Sequence, residues 1–303
     1  MAEPLTEQPN ASSADLDQLG TREMLHRIND EDRRAAWAVE REIDVIAAVV
    51  DQIAERLQKG GRLHYFGAGT SGRLAVLDAA EIPPTFSTAA DSIVAHIAGG
   101  VKAVVQAVEG AEDDTAAGAN EAERVRATDA VICISASGTA PYVLGALRAA
   151  RARGALTIGM TNSPGSPLAL ESEIAVVLLT GPEVIAGSTR MKAGSAQKMA
   201  LNMISTAAMV KLGKVYANLM VDVKATNRKL RSRAQRLTCV LTGVPADEAE
   251  RTLDACGWQV KTAVVMLHKG CDAATARALL DEASGFLREV VGPPDIAALP
   301  PSP

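Results

Sequence analysis

The sequence predicts an α/β protein, a three-layer αβα sandwich around a parallel sheet, followed by a small C-terminal helical module. Three observations predict it. Short apolar runs alternate with longer segments whose apolar positions recur at helical spacing. The connections between them are short, as expected of parallel strands joined by helical crossovers. The core must be built from Ala, Val, Leu and Ile, because aromatics are only 3% of a chain that is 48% hydrophobic.

The elements follow in order. Residues 1–19, rich in Pro, Ser, Asp and Asn, are expected to be flexible. A short helix is expected over 21–28, with Asn29 capping the next. Between Asp30 and Lys59, Ala36, Val39, Ile43, Ile46, Val50 and Ile53 recur with helical period until Gly60 and Gly61 stop the helix. Leu63 to Phe66 reads as a strand running into the loop GAGTSG (67–72). A helix is expected from Ser71 to Ala80, with Pro83 and Pro84 forbidding its continuation. Ile93 to Ala98 is a weaker strand, and Val101 to Val108 reads as helix.

Ala130 to Ile134 is a buried strand, followed by the loop SASGT (135–139) and a helix entered through Pro141 and ended at Gly154. Leu156 to Met160 and Ile174 to Leu179 are further strands. Long helices are expected over Thr189–Leu212 and Leu219–Leu237. Beyond Gly243, a helix starts at Pro245 to Asp247, and Gly257 and Gly270 punctuate others. The organisation expected is an N-terminal segment (1–29), a sandwich with its following long helices (30–237), and a helical module with tail (238–303).

Composition narrows the function. A net charge of −5 and a pI near 5.5 argue against nucleic acid, whose phosphates need a basic face. The dense basic run from Arg228 to Arg236 reads as a solvated helix face. Cys133, Cys239, Cys256 and Cys271 are scattered, with no Cys-x-x-Cys pair and no His at metal-ligand spacing, so neither disulfides nor a metal is expected. The N-terminus lacks an apolar signal core and no apolar run approaches a membrane span, so a cytoplasmic protein is expected.

Two loops carry the chemistry. GAGTSG matches G-x-G-x-x-G, but a dinucleotide site also wants an acidic residue about twenty positions on, at a strand end. Asp91 has that spacing and follows no strand, so the reading loses on context. In the second loop Ser135, Ser137 and Thr139 place three hydroxyls, with Gly138, between a strand and a helix. Hydroxyls with helix N-terminal amides suit a phosphate monoester, and Gly69, Thr70 and Ser71 offer the same at the first loop. Taken singly, each serine also reads as a helix cap.

The S-x-S-G loop after a strand resembles the sugar isomerase (SIS) domain. Longer blocks narrow the resemblance: GAGTSGRLAVLDAAE (67–81) followed by IPPTF, AVEGAEDD (107–114), GPEVIAGSTRMKAGSAQKMALNM (181–203) and LGKVYANLMVDVKATNRKL (212–230). These resemble the N-acetylmuramic acid 6-phosphate etherases, from about Thr6 to the C-terminal module. CGWQVKTAVVMLHKG (256–270) resembles the ubiquitin-associated-like module that ends them.

The resemblance implies cleavage of a D-lactyl ether on a phosphosugar without cofactor, in a homodimer with sites near the interface. It implies Glu81 as proton donor and Glu112 as the second catalytic glutamate, assigned as the base. The apolar neighbours of Glu81 (Leu77, Ala79, Ala80, Ile82) lead us to expect it buried and therefore held protonated. Glu183 is a third candidate, as a sugar or partner-subunit contact or as a helix cap, while Lys192 and Arg190 read as surface residues. Where the family usually carries Arg-Thr-Pro-Tyr, this chain has Thr139, Ala140, Pro141 and Tyr142, so Ser135 and Thr139 must stand in for a missing phosphate-binding threonine. Two alternatives share the fold: a phosphosugar sensor without catalysis, and an aldose–ketose phosphate isomerase. The retained Glu81 and Glu112 favour an enzyme, and the etherase-specific blocks favour the etherase.

Overall fold

The computed structural model describes residues 4–294. The chain divides into two compact units, Met1–Ala80 with Ala90–Thr206, and Glu81–Ala89 with Ala207–Pro303.

The first unit is built on five parallel strands: β1 (Leu63–Gly67), β2 (Ile93–Ile97), β3 (Ala130–Ile134), β4 (Leu156–Thr161) and β5 (Ile174–Val177). Their order is β2-β1-β3-β4-β5. β1, β3 and β4 are buried at every position, whereas the edge strands β2 and β5 are only partly covered. Burial on both faces is why the inner strands read as continuous apolar runs rather than alternating ones. The helices are α1 (Thr21–Glu40), α2 (Ile43–Gln58), α3 (Gly69–Phe86), α4 (Lys102–Val105), α5 (Thr115–Glu121), α6 (Pro141–Ala152), α7 (Pro167–Glu171) and α8 (Lys192–Lys211), of which α3 and α8 continue into the second unit.

Alternation along β1 feeds two layers. Phe66 packs with Val131, Cys133, Tyr142, Val143 and Leu147, the face covered by α6. Tyr65 points the other way and donates from its hydroxyl to Asp78 on α3 (3.0 Å). Asp78 also accepts from Asn202 (2.6 Å) and Ser205 (3.0 Å) on α8. Burial pushes the Asp78 carboxyl above its usual range despite these donors.

The second unit comprises α9 (Arg228–Thr242), α10 (Ala246–Ala255), α11 (Val260–Lys269), α12 (Ala273–Glu282) and α13 (Leu287–Val291). They enclose a core that includes Leu237, Leu253, Val264 and Leu280.

Several expectations are corrected. The N-terminal segment, expected to be flexible, forms three short 3-10 turns and packs through a fully buried Thr6. α1 is continuous through Asn29, and the chain bends instead at Arg41–Glu42. α3 runs through Pro83 and Pro84, which fall in its last turn. The Thr85 hydroxyl there donates to the Glu81 carbonyl (2.7 Å), and the Ser87 N–H donates to the Pro83 carbonyl (3.0 Å). The expected helix over 219–237 begins only at Arg228, where the Asn227 side chain accepts the Leu230 N–H (2.9 Å). Before it, the chain turns at Val221 and Asp222 and runs without helix to Asn227, with Val221 and Val223 buried. The expected boundary at 237/238 falls inside α9. The expected helix over 101–108 shrinks to four residues, and α7 had no counterpart in the sequence reading. Among the described residues, no helix is long and apolar enough to cross a membrane.

Candidate active site

The strand order puts the site at one place. From β1 the chain passes outward to β2 and then returns across β1 to β3, so β1 and β3 are neighbours whose following loops diverge. Such a crevice at the carboxyl ends of parallel strands is where ligands bind in open α/β sheets. Gly67 at the end of β1 is in register with Ile134 at the end of β3, so the loops 67–72 and 135–139 leave the sheet side by side.

Glycine makes the first loop possible. A Cβ on Gly67 would lie 2.6 Å from the Gly72 nitrogen, and one on Gly72 would lie 2.7 Å from the Gly67 oxygen. The first turn of α3 therefore sits directly on the strand end, and its N–H groups face the crevice without helical acceptors. In the second loop Gly138 has φ +69°, and a Cβ there would fall 2.1 Å from Ser166 Oγ. That left-handed residue turns the chain so that the Gly138 N–H can donate to Ser135 Oγ (3.1 Å).

The two loops line a cavity of about 320 Å³ together with Glu112, Glu7, Gly187 and Thr189. The expected residues Gly69, Thr70, Ser71, Ser135 and Ser137 all line it. Thr139 is exposed and absent from the lining, but its hydroxyl is 2.9 Å from Ser137 Oγ, so it orients a hydroxyl that does line the cavity. Ala140 lines the cavity and contributes no hydrogen-bonding side chain. Ser71 Oγ donates to Gln197 (2.8 Å), Gln197 donates to Asn162 (3.0 Å), and Asn162 donates to the Leu178 carbonyl (2.9 Å). This buried chain holds Ser71 in one rotamer and was not visible in the sequence reading.

Glu112 sits in a 3-10 turn (Ala111–Asp113) before α5, whose cap is Asp114 accepting the Ala117 N–H (2.8 Å). Arg73 on α3 ties down the preceding stretch by donating to the Val104 (3.1 Å) and Gln106 (3.3 Å) carbonyls. Although Glu112 has open area toward the crevice, desolvation by the surrounding protein, then the neighbouring Asp113 charge, push its carboxyl above the usual range.

The other two glutamates are placed elsewhere. Glu183 is fully buried and accepts the backbone N–H groups of Lys192 (3.2 Å) and Ala193 (2.9 Å). It caps α8 rather than lining the cavity, which corrects its assignment to substrate binding. Burial nonetheless raises its proton affinity. Glu81 belongs to the second unit and is exposed. The buried setting expected for it is not formed within one chain, because the exposed stripe of α3 carries Leu77, Ala80, Glu81 and Pro84, while Ile82 and Phe86 turn inward.

Lys192, read as a surface residue, is completely buried and pairs with Glu31. Desolvation opposes the Glu31 charge, but Lys192, Asn10 and Ser12 outweigh it and hold the carboxyl below its usual range. Glu7, Gly187 and Thr189 were not assigned to the site. The neighbours of Glu7 in the cavity lie far along the chain, so no local pattern could have found it. Among the described residues, no group of His, Cys, Asp and Glu is arranged to hold a metal ion.

With this geometry established, similarity to known proteins adds the family. The glucokinase regulatory protein N-terminal SIS domain matches residues 45–151. The chain is 51% identical over 289 residues to the N-acetylmuramic acid 6-phosphate etherase of Deinococcus radiodurans, covering 95% of each. It is 50% identical to that of Geobacillus thermodenitrificans, covering 94% of this chain and 98% of the relative. A phosphoheptose isomerase from Francisella tularensis superposes with a TM-score of 0.52 at 16% identity, over 63% of this chain and 98% of that one, which shows a shared fold. Identity of this size over nearly the whole length means that the chain belongs to the N-acetylmuramic acid 6-phosphate etherase family.

Proposed function

We propose that this chain is an enzyme that cleaves the D-lactyl ether at C3 of N-acetylmuramic acid 6-phosphate. The products are N-acetylglucosamine 6-phosphate and D-lactate, in recycling or catabolism of cell-wall amino sugars. The observation that carries the reading is 51% identity with an etherase across 95% of the chain. The cavity supplies residues suited to the chemistry.

The phosphate lies between the first turn of α3, which includes Ser71, and the hydroxyls of Thr70, Ser135 and Ser137. In the open-chain aldehyde the carbonyl acidifies the proton on C2. Glu112 takes that proton, and its raised proton affinity makes it a better base near neutral pH than an ordinary carboxylate. The electron pair from the C2–H bond forms a C2–C3 double bond, and the C3–O bond breaks with its pair going to the lactyl oxygen. An acid protonates that oxygen as it leaves. Water then adds at C3 of the unsaturated aldehyde, and a proton returns to C2. Nothing in this sequence requires a metal or an organic cofactor.

Glu81 is our assignment for the acid. The role requires the exposed α3 stripe that carries it to be covered from water. A second copy of the chain packed over Leu77 and Glu81 would do so, and we assign the working form as a homodimer in the cytoplasm.

The test is to incubate the protein with N-acetylmuramic acid 6-phosphate in isotopically heavy water and follow D-lactate and label. Lactate release with deuterium at C2 and heavy oxygen at C3 is expected, and Glu81→Ala should still exchange C2 while releasing almost no lactate. Saturable binding of the phosphosugar without lactate release would instead favour the sensor, the reading that Ala140 supports.

A further inference from the structure

We propose that Glu7 is a specificity-determining residue of the cavity, accepting hydrogen bonds from hydroxyl and amide N–H donors of the bound sugar. It rests on the phosphosugar reading above and assigns which part of the ligand faces which wall.

Glu7 lines the cavity opposite in chemistry to everything else there except Glu112. A carboxylate accepts hydrogen bonds and donates none, so it repels a phosphate and attracts a polyol. Among the described residues, Glu7 has no side-chain hydrogen bond or ion pair with the protein. The side chain is exposed, but the chain that carries it is held in place. The Gly187 N–H donates to the Thr6 carbonyl (3.0 Å), and a Cβ at Gly187 would lie 2.7 Å from Glu7 Oε2, so the carboxylate rests against the Gly187 backbone. Farther along, Asn10 donates to the Pro182 carbonyl (3.0 Å) and Ser13 to the Val184 carbonyl (2.8 Å). Asn10 and Ser12 also donate to Glu31 (2.9 Å each), which pairs with the buried Lys192.

The N-terminal segment is thus latched to the 182–187 loop by a partly buried polar network, which brings the exposed Glu7 carboxylate to the cavity without a protein donor. Ordering a segment this polar costs conformational entropy, and a carboxylate brought to the cavity wall is what that ordering delivers. Hydrogen bonds to a charged group are worth about 1.5–3 kcal/mol, or roughly ten- to a hundredfold in affinity.

The experiment measures binding of N-acetylglucosamine 6-phosphate and of inorganic phosphate by calorimetry, on the full chain and its Glu7→Ala and Glu7→Gln variants. For Glu7→Ala, phosphosugar affinity is expected to fall at least tenfold while phosphate affinity stays the same or rises. Glu7→Gln, which keeps the shape and one acceptor oxygen, should recover part of the phosphosugar affinity. Parallel loss of both ligands in both variants, or phosphosugar affinity within twofold of wild type in Glu7→Ala, would overturn the proposal. So would wild-type protein that binds phosphate but not the phosphosugar. Lactate release by the wild type is scored separately, so failure of the etherase reading with intact phosphosugar binding is told apart from failure of this one.

Discussion

Replacing Lys192 by Met should destabilise the protein by about 3 kcal/mol, through the charge it leaves behind rather than through lost packing. Met fills a similar volume, and Lys192 is completely buried, so the ammonium is what is removed. Its partner Glu31 has a side chain only 4% exposed. Removing one member of a buried pair costs about 3–5 kcal/mol. The lower end applies because Glu31 keeps Asn10 and Ser12 (2.9 Å each) and the half-exposed Arg34 (3.3 Å). About 3 kcal/mol is roughly two orders of magnitude in the folding equilibrium.

The sign with pH follows. The Glu31 carboxyl is depressed when folded, so its contribution is present above the ordinary value of 4.5 and is lost as pH falls through the lower folded value. In Lys192→Met that acid-side loss should shrink, because the buried carboxylate, without the ammonium, favours its protonated form more than before. Urea denaturation by circular dichroism at pH 7 and pH 4 reads both effects, and amide exchange over residues 5–40 localises them. The double variant Glu31→Gln/Lys192→Met should recover most of the stability. A Lys192→Met protein within 1 kcal/mol of wild type, or a double variant no better than the single, would refute the reasoning.

Three further outcomes are expected. Glu112→Gln should lower kcat for lactate release by about 10²–10⁴-fold with KM changed little, and should abolish C2 exchange. In the wild type, kcat/KM should fall on the acid side as Glu112 takes up its proton, at a pH above the ordinary carboxylate range; a profile flat from pH 4 to 8 would remove Glu112 as the base. Ser71→Ala should cost about 1–2 kcal/mol of stability, since Gln197 loses its buried donor, and urea titration checks it.

What was legible beforehand was local. β3 was read at its observed bounds, and β1 and β4 to within a residue, because a strand buried on both faces announces itself as an apolar run. Pro141 marked the start of α6, and the Gly and Ser spacing marked both phosphate loops. Helix limits were less legible. Asn29 is as good a cap in composition as Asn227, yet only Asn227 caps, because α1 runs unbroken through Asn29 whereas the chain before Asn227 is not helical and is pinned by burial of Val221 and Val223.

By itself, then, the sequence determined the sheet, the family and the hydroxyl loops, all of which are written in contiguous residues. Only the tertiary structure decided what each carboxylate does. It put Glu7 beside Gly187 across 180 residues of chain, set Glu183 on the amides of α8, and left Glu81 on an uncovered stripe. It also buried Lys192 against Glu31. A carboxylate has the same local signature whether it caps a helix, pairs with a buried cation or faces a ligand. Its role depends on which distant backbone and charges surround it, and those are fixed by strand order and loop packing rather than by neighbours in sequence.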